Sequence, residues 1–338
     1  ARRAGAGCVS GLDMLLWQGV FAEEIAASVA RPGSSEIAPG SSLASRPAVR
    51  SSAMGIDGRT VSYAVIGHPV GHSRSPAMHN ASFAHLGVNA VYLAFDIAPD
   101  AGARAVAALR DLGFGGFNVT MPHKTAVYES VDELSDDARL MESVNTVHIR
   151  EDGSTVGHNT DGRGAFAAVR AAGYDPGDSV VILGAGGASR AIYTRAALEG
   201  VSRIRVFSRR GQNYERAIEI LARLRAETGV DAQLCDLADE QALRREVEAA
   251  SLLVNATSVG MSAHPGALIP ESWLRPGHIV FDAVYEPLET ELLQRARRAG
   301  AGCVSGLDML LWQGVFAEEI WLGRTDIPVE VMRAALCQ

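Results

Sequence analysis

Val180-Val181-Ile182-Leu183-Gly184-Ala185-Gly186-Gly187-Ala188-Ser189 is the stretch whose reading decides the fold. An apolar strand runs directly into a glycine-rich turn, and a helical stretch follows. In this arrangement the first glycine permits a tight turn. The second lets the backbone approach a pyrophosphate, whose charge rests on free N–H groups at the helix N-terminus. The third position of the pattern is Ser189, where Gly or Ala is usual.

The next strand, Arg203–Phe207, ends at Ser208-Arg209-Arg210. An NAD enzyme places an acid there to hold the ribose hydroxyls. Two guanidinium groups instead match the 2′-phosphate of NADP in charge and fork geometry; a solvated basic turn is the plain alternative. From Thr60 onward strands and helices alternate, which argues for parallel sheets joined by crossover helices. Strands are expected at Val61–Ile66, Ala90–Phe95, Gly116–Thr120, Val144–Ile149, Val180–Leu183, Ile204–Phe207, Leu252–Asn255 and His278–Asp282. Helices are expected at Ser75–Leu86, where Pro76 suits the first turn, and at Asp100–Leu112, Asp136–Met141, Gly162–Ala172, Thr290–Ala299 and Gly306–Ile320.

The chain has 338 residues, 47% hydrophobic and 21% charged, enough for two domains with separate cores. Its net charge of −8 argues against a nucleic-acid partner, which needs a basic face. No apolar run approaches the ~20 residues needed to span a membrane. Residues 1–25 lack the shape of a signal peptide, because Asp13 interrupts their apolar centre. Cys8, Cys235, Cys303 and Cys337 form no CxxC pair and read as reduced thiols of a cytoplasmic protein. His68 and His72 bracket a Pro69–Gly71 turn rather than share a helix face, so no metal site is expected.

Residues 1–25 (ARRAGAGCVSGLDMLLWQGVFAEEI) are identical to residues 296–320. A fold-building repeat would drift and recur several times, so the first copy reads as a duplication or a gene-model artefact. The alternative is a decoy that competes with the second copy for one docking groove. Residues 26–53, rich in Ala, Ser, Pro and Arg, read as a disordered linker, with Met54 as a natural start.

Ser73 and Ser75 stand two apart in His72-Ser73-Arg74-Ser75-Pro76, so in extended chain their hydroxyls point the same way. They could hold a carboxylate beside the helix N–H groups, or one serine could merely cap that helix. Asn118 and Thr120 have the same relation, with Phe117 and Val119 facing the core. Lys124 follows a proline turn in Gly116-Phe117-Asn118-Val119-Thr120-Met121-Pro122-His123-Lys124. Asp161 closes Gly157-His158-Asn159-Thr160-Asp161, just before the nucleotide unit. An amine and a carboxylate converging on one substrate hydroxyl can move its proton while a nicotinamide takes the hydride.

Taken together, Tyr63–Asn80 (YAVIGHPVGHSRSPAMHN), Asn118–Lys124 (NVTMPHK), Asn145-Thr146, Asn159-Thr160-Asp161, Gly184–Ser189, Asn255–Met261 (NATSVGM) and Gly306–Gln313 (GLDMLLWQ) resemble the shikimate dehydrogenase family. The resemblance spans roughly residues 60–337. It implies an NADP-dependent oxidoreductase of aromatic amino-acid (chorismate) biosynthesis that interconverts 3-dehydroshikimate and shikimate. It implies Lys124 and Asp161 as the catalytic pair and Ser73 and Ser75 on the substrate carboxylate. Asn118, Thr120, Asn145 and Gln313 would bind ring hydroxyls, with Tyr285 lining the site. Gly184, Ala185, Gly186, Gly187 and Ala188 would hold the pyrophosphate, and Ser208, Arg209 and Arg210 the adenosine phosphate. Ala283, Gly306 and Met309 fall where the family lines the nicotinamide pocket, and Asp136 matches a cofactor-contact position. The implied fold is two-domain α/β. A substrate-binding domain at 54–160 takes back residues 306–338, a Rossmann-type NADP-binding domain occupies 161–305, and residues 1–53 are an extension. The expected assembly is a monomer or homodimer.

Some positions depart from the family's pattern. His123 stands where an aromatic residue is common, and Ser208 replaces an Asn. Leu310-Leu311-Trp312-Gln313-Gly314 and Phe207–Arg210 look like the branch that also oxidises quinate. In that branch an Asp commonly follows the two arginines and supports NAD; here Gly211 stands in its place. A quinate/shikimate dehydrogenase using NAD or NADP is therefore the alternative reading. A non-catalytic ligand sensor of the same fold would have no use for Lys124 with Asp161, and a folate-type dehydrogenase no use for the paired serines with Gln313.

Overall fold

Two six-stranded sheets organise the chain in the computed structural model, which describes residues 55–338. These residues fall within one compact unit, Ala53–Gln338. The duplicated segment 1–25, the linker and Cys8 lie outside the described residues.

The first sheet is built from β1 (Val61–Gly67), α1 (Ser75–Leu86), β2 (Ala90–Asp96), α2 (Gly102–Asp111), β3 (Gly116–Val119), α3 (Lys124–Tyr128), β4 (Glu133–Leu134), α4 (Asp136–Met141), β5 (Thr146–Ile149) and β6 (Thr155–His158). Its strand order is β2-β1-β3-β5-β6-β4. β1 pairs in parallel with β2 and β3, but β5 runs antiparallel to both β3 and β6. The sheet is therefore mixed, where alternation of elements had suggested a parallel one. The reason is the tight connection Arg150–Ser154. Its ends bond through Arg150 N–H to the Ser154 carbonyl at 2.9 Å, Asp152 accepts from the Ser154 N–H, and Gly153 takes φ +82. A loop this short can only join antiparallel strands.

The second sheet follows α5 (Asp161–Ala171) and contains β7 (Ser179–Leu183), α6 (Gly187–Leu198), β8 (Arg203–Ser208), α7 (Gln212–Thr228), β9 (Asp231–Asp236), α8 (Glu240–Ala249), β10 (Leu252–Asn255), β11 (Ile279–Asp282), α9 (Glu291–Arg298) and β12 (Gly302–Ser305). All its pairs are parallel, in the order β12-β11-β10-β7-β8-β9. The chain moves outward to β9 on one side of β7 and returns to β10 on the other. Such a reversal opens a crevice at the carboxyl ends of the two central strands, where ligands of open α/β sheets bind. The Gly184 turn lies there. Its φ is +107, and a Cβ would meet the Ala256 carbonyl oxygen at 2.8 Å, so glycine is required on two counts.

α10 (Gly306–Leu322) and α11 (Val329–Leu336) return to the first sheet. Trp321 at the end of α10 donates its indole N–H to the Val147 carbonyl on β5 at 2.9 Å and packs with Tyr63, Phe83 and Tyr92. α10 also crosses α5 at close range. A Cβ on Gly164 would stand 2.8 Å from the backbone nitrogen of Gln313, and one on Gly314 would stand 2.2 Å from the Met78 methyl. These two glycines let one helix carry Gln313 down beside the N-terminus of the other. Gly164→Val should cost about 1–3 kcal/mol by forcing the helices apart. Urea denaturation checks it, and an unchanged midpoint would refute the close-packing argument.

Candidate active site

A cavity of about 200 Å³ opens between the two sheets. Lys124 enters it as the first residue of α3, and Asp161 as the first residue of α5. The Lys124 ammonium donates to Asp161 Oδ2 at 2.6 Å, and the side chains are 21% and 10% exposed. The second carboxylate oxygen accepts from Asn145 Nδ2 at 2.7 Å. Asn145 is itself fixed, since its Oδ1 accepts from the Thr160 N–H at 2.9 Å. Gln313 lies 3.5 Å from the same amide nitrogen and anchors its own Nε2 on the Leu310 carbonyl. Two residues far apart in the chain thus share one wall with a second amide pair.

Ser73, Ser75, Asn118, Thr120 and Tyr285 complete the polar wall. The open question at the serines has a mixed answer. The residue preceding α1 is Arg74, which offers no side-chain cap, and Ser73 Oγ accepts from the Ser75 N–H at 3.3 Å in a short turn. Both hydroxyls still reach the cavity. Phe117 and Val119 point into the core opposite Asn118 and Thr120, as the two-residue period requires. His72 and Leu310 line the cavity too, although the sequence reading assigned them no place in it. His72 is exposed at the rim; its position one residue before Ser73 was the available signal. His123 is fully buried, does not line the cavity, and has neither ring nitrogen bonded among the described residues. Burial holds its pKa below the usual value.

Ala188, Ala283, Gly306 and Met309 meet the same cavity from the second sheet. A Cβ on Gly306 would lie 2.3 Å from the Ala283 carbonyl oxygen, so this wall is tight by construction. Gly184, Ala185, Gly186 and Gly187 run away from it toward the crevice. A Cβ at Gly186 or Gly187 would meet nothing within 4 Å, which leaves open space over the first turn of α6. That space and the N–H groups of the helix start fit a pyrophosphate. Ser189 proves useful at its unusual position: its buried hydroxyl donates to the Gly184 carbonyl at 2.6 Å and ties the turn to the helix.

Residues 65–147 match the family model described as shikimate dehydrogenase substrate binding domain, and residues 306–337 match that described as shikimate 5'-dehydrogenase C-terminal domain. A protein named shikimate dehydrogenase (NADP(+)) from Moorella thermoacetica is 46% identical over 81% of this chain and 91% of its own length. The chain belongs to the shikimate dehydrogenase family. A crystal structure of shikimate 5-dehydrogenase from Listeria monocytogenes, in complex with shikimate and NAD, is similar with a TM-score of 0.79 at 40% identity, covering 83% of this chain and 98% of that one. A quinate dehydrogenase from Corynebacterium glutamicum in complex with NAD is also similar, with a TM-score of 0.75 at 33% identity, covering 82% and 99%.

Within this family frame the adenosine side shows a division the sequence did not. Ser208, Arg209 and Arg210 line a separate depression with Gly211, Gln212 and Asn213. Arg210 is held by Asp236 on β9 at 2.8 Å and leans over the Tyr214 ring. Arg209 is exposed and forms no ion pair among the described residues. Asp136, the matched cofactor-contact position, is exposed and pairs with Arg139 at the start of α4. No helix among the described residues is long and apolar enough to cross a membrane.

The strand leading into Asp161 carries a titratable group of its own. His158 on β6 has its pKa lowered to about 4 from an ordinary 6.5, first by burial, then by His148, Arg150 and Arg163. The folded state refuses the proton that the unfolded chain accepts. Its contribution is therefore complete above pH 6.5 and is lost as pH falls toward about 4. As pH falls through that window wild type should lose stability relative to His158→Gln, read as denaturation midpoints; parallel curves would refute the linkage.

Proposed function

We propose that this chain catalyses the reversible, NADP-dependent reduction of 3-dehydroshikimate to shikimate. The observation that carries the reading is the 2.6 Å Lys124–Asp161 pair inside a cavity whose opposite walls are the serine turn and Ala188, Met309 and Gly306. One wall suits a polyhydroxylated carboxylate, the other a flat ring. Bound at the crevice, the nicotinamide supplies or accepts the hydride.

Every other task falls to the protein. Ser73 and Ser75 hold the carboxylate beside the start of α1. Asn118, Thr120, Asn145 and Gln313 fix the ring hydroxyls, and Tyr285 closes the site above them. Burial raises the Tyr285 pKa, so it serves as a neutral hydrogen-bonding group. Lys124 Nζ gives its proton to the substrate oxygen during reduction and takes it back during oxidation. Asp161 keeps that nitrogen aimed and bonds the same hydroxyl. Gly184–Ala188 cradle the pyrophosphate, and Arg209 meets the 2′-phosphate. We read residues 54–160 with 306–338 as the substrate-binding domain and 161–305 as the cofactor domain.

A quinate/shikimate dehydrogenase using either cofactor is the second reading. The likeness to a quinate dehydrogenase in complex with NAD favours it. Absorbance assays at the reduced-nicotinamide band, pairing shikimate and quinate each with NADP and NAD, separate the two. Lys124→Ala should lower kcat about 10²–10⁴-fold with a much smaller change in shikimate KM; near wild-type kcat would remove Lys124 from the chemistry. Arg209→Ala should raise KM for NADP about tenfold or more and leave KM for NAD nearly unchanged. Equal losses with both would contradict the phosphate assignment.

A further inference from the structure

Tyr92 on β2 is wholly buried and does not line the cavity, yet its hydroxyl donates to Asn118 Oδ1 at 2.6 Å. The direction of that bond is forced. Asn118 Nδ2 faces the Asn145 carbonyl at 3.3 Å, which can only accept, and Thr146 Oγ1 at 3.0 Å. Its Oδ1 must then face Tyr92, and the phenol must donate. The same polarity continues inward. Thr146 Oγ1 donates to Asn145 Oδ1 at 2.9 Å, and Asn145 Nδ2 donates to Asp161 Oδ1 at 2.7 Å. An unbroken series of donors starts at Tyr92 and ends on the carboxylate that holds Lys124.

The support behind Tyr92 is equally specific. Its backbone is clamped by Asn80, which accepts from the Tyr92 N–H at 2.8 Å and donates to the Tyr92 carbonyl at 2.9 Å. The His79 ring stacks on it with centroids 4.3 Å apart and planes 21° from parallel. His79 Nδ1 lies 2.7 Å from Glu318 Oε1, and the Ser82 hydroxyl donates to the other oxygen of that carboxylate; all three side chains are fully buried. Burial also keeps the phenol's pKa well above its usual value, so the O–H remains a donor across the working range. Phenylalanine would fill the same space. The hydroxyl is an added polar group in an apolar cluster; its short bond goes to Asn118, and its other polar neighbour is Ser75, both residues of the cavity wall.

We propose that Tyr92 is a positioning residue for the reaction assigned above: it orients the Asn118 amide in the cavity wall and, through Thr146 and Asn145, the Asp161 carboxylate. The proposal rests on that reaction. Tyr92→Phe keeps the stack on His79 and removes only the donor. The expected result is a fall in kcat/KM for shikimate on the order of 10–100-fold, with KM for NADP unchanged. In an Asn118→Ala background the same substitution should add nothing, because the group it orients is gone. Wild-type kcat/KM in Tyr92→Phe overturns the proposal. So does a full additive loss in the double variant, or an equal rise in KM for NADP, since either marks a general packing effect. If Tyr92→Phe does not fold, Thr146→Val severs the next link, and wild-type kcat/KM in that variant overturns the proposal. A wild-type protein that turns over shikimate beside an unaltered Phe variant defeats the positioning role alone. A wild-type protein without shikimate turnover defeats the reaction and the positioning role together.

Discussion

The Lys124–Asp161 contact governs the arrangement around it because both groups carry charge in a place with little water. Exposures of 21% and 10% mean that each ion has lost much of its hydration. Attraction between the two offsets that loss only if the remaining lone pairs and protons are also satisfied. The structure meets that condition at Asp161. Asn145 occupies its second oxygen, and its place at the first position of α5 sets the carboxylate against the positive end of a helix. Lys124 has no such support from its own element. It opens the five-residue α3, where a positive charge faces the wrong end of the helix. Its position therefore depends on Asp161 more than the reverse. That asymmetry suits the proton-transfer role proposed for Lys124, with Asp161 as the fixed partner.

Holding the pair in register requires that elements from distant parts of the chain approach closely. Gly164 and Gly314 bring α10 against α5 and α1, and Gly306 brings its start against Ala283. A second tie crosses from the first sheet to the second. Glu142 ends α4 in a left-handed conformation with φ +47 and accepts from Arg216 and Arg223 of α7, each at 2.9 Å. A non-glycine residue there costs on the order of 1 kcal/mol or more, which two guanidinium bonds can offset. α7 begins directly after the Ser208–Gly211 turn. The same helix thus links the Ser208–Gly211 turn to the lobe bearing Lys124.

Much of this was legible in the sequence, for identifiable reasons. α1 and α4 run between the residues expected, because Pro76 marks one start and the Ser135 hydroxyl caps the other. The cavity gathers both members of the expected catalytic pair and all seven expected substrate residues, since motif order fixes which strand ends meet. The sequence motifs do not announce β4, β6, β9, β12, α7, α8 and α11. α7 has a clear helical period in Ala217, Ile220, Leu221 and Leu224, which was an available signal for it. β9 (Asp231–Asp236) is a half-exposed edge strand whose polar residues hide its period. β6 has four residues, too few to show alternation, and Asp152-Gly153 was the turn signal that could have revealed its hairpin with β5. The Tyr92–Asn118 bond left no local trace, because its partners stand 26 residues apart and meet only through sheet pairing.

Cofactor choice shows how backbone shape and charge combine at one residue. Gly211 stands just before α7 with φ +148 and ψ −173, a conformation that side-chain-bearing residues rarely adopt. An aspartate, the residue that the resemblance to the quinate-oxidising branch leads one to expect here, would be strained at this position without a change in the turn. Replacing glycine by aspartate here would thus alter two things at once: a carboxylate would face the ribose, and the start of α7 would have to reset. Arg210 is already drawn aside by Asp236, so the open depression presents the Arg209 guanidinium with no acidic residue competing for it from the turn itself. A phosphate ester gains a bidentate partner in that setting, while a free 2′-hydroxyl meets a donor-only group with no acceptor to pair its own proton. The preference proposed above for the phosphorylated dinucleotide would then rest on the main-chain path through Gly211 as well as on Arg209.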